Sequence, residues 1–174
     1  MTLKHTLFLV AAFISVNTFA QRFNWSSSAG YPATANGYLG AVDLTTDAQG
    51  NVYTFDYANL DQVCQGDTIE RVSNGSNLFV YKFNQNGDLI WGKAYGAGEG
   101  GGSVVPLNLQ MGPDNNLYTL VHLNGNDIVS EDGTFQVISP TNVILSINEN
   151  GLINWVESTQ FNCTACFLLE IANE

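Results

Sequence analysis

Basic residues are scarce in this chain: five Lys and Arg stand against sixteen Asp and Glu, a formal net charge of −11 at pH 7. A field of that sign repels phosphate backbones and anionic lipid, which sets aside nucleic acid and the membrane surface as partners. Long apolar runs are missing as well. The longest, Thr6 to Val16, is eleven residues, short of the ~20 that cross a bilayer. Apolar residues recur nowhere at helical spacing, so the pattern asks for no helix.

Histidine and cysteine are equally sparse. Beyond residue 20 the sole histidine is His122, set between Val121 and Leu123, and it reads as a strand residue facing a neighbour, not as a general base. No G-x-S-x-G, H-E-x-x-H or G-x-x-x-x-G-K-[ST] motif occurs. The run Gly96 to Gly102 (GAGEGGG) has the glycine content of a phosphate loop, yet it precedes a strand where such a loop must open a helix. It reads as a connection. The sequence therefore nominates no catalytic residue, no cofactor and no metal ligand.

Three cysteines remain, Cys64, Cys163 and Cys166. In an exported chain the pair Cys163 and Cys166 can close a local disulfide if the backbone turns there. A thioredoxin-like dithiol would need a βαβ context that the pattern does not supply. Zinc would have to recruit Cys64 and His122 from distant loops.

Export is the expectation set by the first twenty residues. Lys4 and His5 give a polar start, the apolar run follows, and Asn17-Thr18-Phe19-Ala20 ends on a small residue, the pattern of a secretory signal cleaved after Ala20. Cleavage leaves Gln21 to Glu174, enough for one domain with its own core. Arg22, Arg71, Lys82 and Lys93 then face all sixteen acids, a charge of −12.

What the chain does contain is a repeated hairpin. Phe79 to Phe83 is rich in β-branched and aromatic side chains, Asn86-Gly87 is a two-residue turn signal, and a second apolar run ends at Trp91. The pattern returns 64 residues later as Val143 to Trp155, with Asn150-Gly151 at the turn. Trp25 lies 66 residues before Trp91, so a third copy of the tryptophan strand opens the mature chain. Between these copies, Gly40 to Thr46 and Asn51 to Tyr57 read as strands, and Val104 to Gln110 and Asn116 to Thr119 repeat them. Pro106 suits an edge position, where a missing N–H costs nothing. Asn59 to Asn77 and Leu123 to Pro140 read as long polar connections.

Four short strands in each period of about 65 residues is the content of a β-propeller blade. The expected fold is thus all-β: a partial propeller of two four-stranded antiparallel blades, 39–95 and 104–159, with an N-terminal strand and a third blade begun at 160–174. The N-terminal tryptophan strand would be the outermost strand that a closing propeller borrows from one end of the chain. Two blades leave apolar faces open, so the expectation is a fragment of a longer protein, with a ring of copies as the alternative.

The motif D-x-x-G-N-V-Y (Asp47, Gly50, Asn51, Val52, Tyr53) with N-G-D-L-I-W (Asn86 to Trp91) resembles the seven-bladed β-propeller (SBBP) repeat of secreted proteins, many from Bacteroidota that export through the type IX system. The likeness covers essentially all of Gln21 to Glu174. Asn115 departs from it by standing where the first copy has Gly50, and the C-terminal sorting domain usual in such proteins is absent. The resemblance implies a secreted or cell-surface, non-catalytic module for binding or adhesion, with an extracellular carbohydrate or protein as ligand. The alternative is the N-terminal part of a propeller enzyme, hydrolase or quinoprotein-like, with its chemistry in other blades.

Side chains that could meet a ligand are few. Asp61, Asp67 and Glu70 in one connection, and Asp127, Glu131 and Asp132 in the other, offer the oxygens calcium prefers without the spacing of a calcium loop. They read as solvated acids. Trp25, Trp91 and Trp155 are expected to pack between blades. Tyr31, Tyr38 and Tyr95 are the aromatic candidates for a sugar platform.

Overall fold

A computed structural model describes residues 29–30, 39–98, 101–137 and 142–159. The signal segment, Trp25, Tyr31, Tyr38, Cys163, Cys166 and the third blade begun at 160–174 lie outside the described residues. The thirteen strands are β1 (Ala29–Gly30), β2 (Leu39–Thr46), β3 (Val52–Ala58), β4 (Gln62–Cys64), β5 (Asp67–Ile69), β6 (Asn77–Phe83), β7 (Leu89–Ala97), β8 (Ser103–Met111), β9 (Leu117–Asn124), β10 (Asp127–Ser130), β11 (Gly133–Gln136), β12 (Asn142–Ile147) and β13 (Ile153–Thr159). No helix occurs among the described residues. None of these is long and apolar enough to cross a membrane as a helix.

The strands form antiparallel sheets, none closed on itself. One has the order β11-β10-β7-β6-β3-β2, a second β13-β12-β9-β8, and a small third β1-β4-β5. Within them two meanders share one register. In β2 with β3 the pairing skips a residue between Ala41 and Asp43, and in β8 with β9 it skips between Pro106 and Asn108. Likewise β6 with β7 shifts between Lys82 and Phe83, and β12 with β13 between Ser146 and Ile147. Bulges re-aim the side chains that follow them, so the same positions of both meanders point the same way.

The sheet count corrects the expectation of two four-stranded sheets. Both connections read as irregular contain hairpins: β4-β5 turns at Gln65-Gly66, where both residues have positive φ (51° and 94°), and β10-β11 turns before Gly133. Strands of three or four residues fall below the length at which alternation shows. The second hairpin also changes sheets. Ile128 pairs with Ala97 and Val129 with Gly96, so β10 extends the first sheet although its sequence belongs to the second. Gly96 and Ala97 are consequently strand residues, where the glycine-rich run suggested loop.

The β6-β7 turn also differs from the sequence expectation. Of Asn86 and Gly87, only Gly87 is left-handed (φ 86°). Gly87 N–H donates to Asn84 O (3.0 Å), and Asn84 Oδ1 accepts from Asn86 N (2.8 Å) and Asp88 N (3.0 Å). Asn148 and Gly151 (φ 80°) build the same turn between β12 and β13. Asn84 is therefore the organising side chain, and the bulged pairing beside it fits a glycine-closed longer turn better than a two-residue one.

The main core lies between the two large sheets. Tyr53, Phe55, Leu78, Val80 and Tyr95 from the first meet Leu109, Leu117, Val121, Val143, Leu145 and Ile147 from the second. A smaller cluster of Ala58, Cys64, Ile69, Phe79, Tyr81 and Phe83 covers the opposite side of the first sheet. Full burial of such side chains stabilises by about 1.5–3 kcal/mol each. Pro106 sits in β8, the last strand of its sheet, where no ladder bond is lost.

Candidate binding surfaces

An antiparallel meander puts its short turns at one end and its insertions at the other. At the turn end, Asp47 Oδ1 accepts from Asn51 N (2.8 Å), and its Oδ2 accepts from Asn51 Nδ2 (2.7 Å) and the Tyr53 hydroxyl (3.2 Å). The second sheet keeps the Asn and Tyr but moves the acid by two positions. Asp114 Oδ2 accepts from Asn116 Nδ2 (2.6 Å) and Tyr118 Oη (2.7 Å). Gly112 stands where Asp47 would be, and a Cβ there would come within 2.6 Å of Asp114 Oδ1. Burial by itself would raise both carboxyls, and the Asn and Tyr bonds outweigh it and hold them below the usual range. Asn115 takes the left-handed conformation of Gly50 (φ 60° against 78°), which Asn tolerates.

Between these turns Asp114, Asn115, Asn116, Asn148, Glu149 and Asn150 line a cleft of about 340 Å³. Its wall is not free to move. Glu149 O accepts from Trp91 Nε1 (3.0 Å) and Lys82 Nζ (3.3 Å), and Gly151 O accepts from the buried Tyr95 hydroxyl (2.8 Å). Three donors of the first sheet thus hold one turn of the second. Lys82 also stands 5.1 Å from the centroid of the Tyr53 ring, a cation–π approach that offsets the cost of its burial.

The insertion end carries a wider cleft of about 470 Å³, lined by Gly98, Asn126, Asp127, Val129, Thr134 and Gln136. Asp127 Oδ1 accepts from Gly98 N (2.8 Å) and so ties the glycine loop to β10. Beside it Glu131 forms an ion pair with Lys93 of β7. Amide, hydroxyl and carboxylate groups on a short exposed hairpin make a surface that can exchange hydrogen bonds with a polar ligand.

The acids singled out from sequence are dispersed. Asp61 accepts from Arg71 N (2.9 Å) and approaches its guanidinium at 3.9 Å. No three His, Cys, Asp or Glu side chains converge on a metal position among the described residues. His122 lies in β9 with Nδ1 3.3 Å from Asn142 Oδ1 on the neighbouring strand. Tyr95 is wholly buried, which removes it as a sugar platform: its side chain points between the sheets, where its hydroxyl has a fixed partner. Cys64 is buried in the smaller cluster.

The tryptophans part company. Trp91 packs edge-on against Tyr53 at 6.0 Å between the sheets. Trp155, its counterpart, leans on Tyr118 at 5.9 Å and keeps 43% of its surface exposed.

Sequence reasoning missed Asp56. It is 6% exposed, its Oδ1 has no hydrogen-bond partner, and burial pushes its carboxyl up to about 7. Val121 occupies the matching place in the second sheet, since Asp56 pairs with Phe79 as Val121 pairs with Val143. That apolar counterpart was the signal available in the repeat. No family model, curated protein or solved structure matches this chain.

Proposed function

We propose that this chain is an exported, non-catalytic β-propeller module that binds an extracellular ligand at the cell surface, and that its two large sheets are neighbouring blades. The observation that carries the reading is the shared register. Two meanders with bulges at the same positions pack face to face, one side chain set against the next, as repeats of one unit do. A second observation supports it. Ala29 and Gly30 pair with Cys64 and Val63 as Gly96 and Ala97 pair with Val129 and Ile128. β1 therefore holds the place of an outermost strand for a unit that precedes the first sheet, as a strand borrowed to close a propeller would.

The ligand-binding end is the insertion end, where the β10-β11 hairpin and the glycine loop stand outside the sheet framework. Hydroxyl-rich carbohydrate suits the amide and carboxylate lining of the 470 Å³ cleft. Glycan-array binding by the mature chain tests this. Binding that is lost in Asp127→Ala and Gln136→Ala, and kept in Asn150→Ala at the opposite end, is the expected result. Glycan binding unaffected by the cleft variants, or none on the array, overturns the assignment.

A further inference from the structure

The far side of the second sheet repeats the receiving half of the contact by which the two sheets meet. At that contact Asp43 Oδ2 accepts from Leu109 N (3.4 Å) and Thr45 Oγ1 accepts from Met111 N (3.3 Å). Inner strand β2 thus holds inner strand β8 with side-chain acceptors. Asn108 occupies the place of Asp43: both follow the bulge, and Asn108 pairs with Leu120 as Asp43 pairs with Phe55. Its Oδ1 is fully buried and has no hydrogen-bond partner. Buried acceptors are almost always satisfied, so an orphan at a repeated position marks a missing donor.

The burial pattern of this face points the same way. Leu120 is 6% exposed yet belongs to neither core cluster, whereas Trp155 on the outer strand is 43% exposed. The other large sheet and both hairpins lie on the opposite side. Among the described residues no strand lies over Leu120, so what shields the inner half of the face belongs to the rest of the chain.

We propose that the C-terminal segment, residues 167–174, docks along β8 as the inner strand of a third sheet and directs the backbone N–H at Asn173 to Asn108 Oδ1. The inference rests on the repeat reading given under Proposed function. Asn173 follows Leu109 by 64 residues, and Leu168 follows Val104 by the same interval. Val104 is fully buried at the contact already formed. Leu168, Leu169 and Ile171 supply the apolar side chains that the inner half of the face accepts. The occupant is a segment of the same molecule and needs no second copy.

Amide hydrogen exchange on the mature, isotope-labelled chain decides the matter. The expected result is protection of the Leu168 to Asn173 amides at least about tenfold over coil, independent of protein concentration. Asn108→Ala should reduce protection at Asn173 about tenfold and leave Leu109, which Asp43 holds, unchanged. Coil-like exchange of the segment with β8 and β9 still protected overturns the docking alone. Protection that grows with concentration assigns the face to a second copy and also overturns it. Loss of protection at Leu109 and Met111 in the unaltered protein would instead dismantle the two-sheet frame, and with it the proposed function.

Discussion

The indole N–H of Trp91 crosses the sheet boundary to the carbonyl of Glu149, 3.0 Å away. Trp155, at the same position of the next repeat, has no sheet of described residues in front of it. One residue type in one register thus has two energetic values. Trp91→Phe should cost about 1–2 kcal/mol, because it removes the donor and part of the packing. Trp155→Phe should stay within about 0.5 kcal/mol. Urea unfolding of both variants measures the difference, and equal losses would refute the asymmetry.

Tyr95→Phe isolates a single hydroxyl. It removes the donor to Gly151 O in a fully buried setting and should destabilise by about 1–3 kcal/mol. Its Phe ring fills the same space, so the loss belongs to the hydrogen bond. Unchanged midpoints in thermal and urea unfolding would show that water replaces the hydroxyl.

Asp56 gives the fold a pH dependence. Its folded carboxyl titrates at about 7, above the usual value near 4 for an unfolded Asp. The folded form therefore holds the proton longer, and its stability is unimpaired below about pH 4. Between about 4 and 7 stability falls as pH rises, then levels off. The span is on the order of 4 kcal/mol at most. Asp56→Asn should match the parent near pH 4.5 and exceed it at pH 8. A constant difference across that range would exclude titration of this group as the cause.

Two turn positions separate backbone need from residue identity. Gly151 has φ 80°, and a Cβ there would lie 2.8 Å from Lys93 Cγ. Gly151→Ala should cost about 1–2 kcal/mol. Asn115→Gly, at φ 60°, should change stability by no more than about 0.5 kcal/mol, since both residues accept that conformation. Chemical denaturation of the pair tests whether the backbone alone sets the requirement.

The long strands were legible because their alternation runs for seven residues or more and because each is written twice. Phe79, Val80 and Tyr81 beside Val143, Ile144 and Leu145 needed no structure to be read as strands. The short hairpins were illegible for the opposite reason: Gln62–Cys64 is too brief for a period, and Gln65 is an unusual residue for a left-handed turn position. The glycine of Asn86-Gly87 was read correctly as left-handed, and Asn86 was not. The controlling bonds come from Asn84, two residues earlier, whose side chain the dipeptide signal ignores. The clefts at either end arise from residues that converge only after the sheets pack, as when Glu149 is fixed by Lys82 and Trp91, more than fifty positions back.

The hairpin that changes sheets has a bearing on synthesis. β7 leaves the ribosome with a bare edge, and its partner β10 is encoded about thirty residues further on. A nascent chain paused before Asp127 therefore carries an unsatisfied row of N–H and C=O groups at Gly96 and Ala97, open to any passing strand. Translation through Ser130 removes that hazard, so the order in which the gene is read, and not sheet stability alone, governs when the first half of the molecule becomes safe from aggregation.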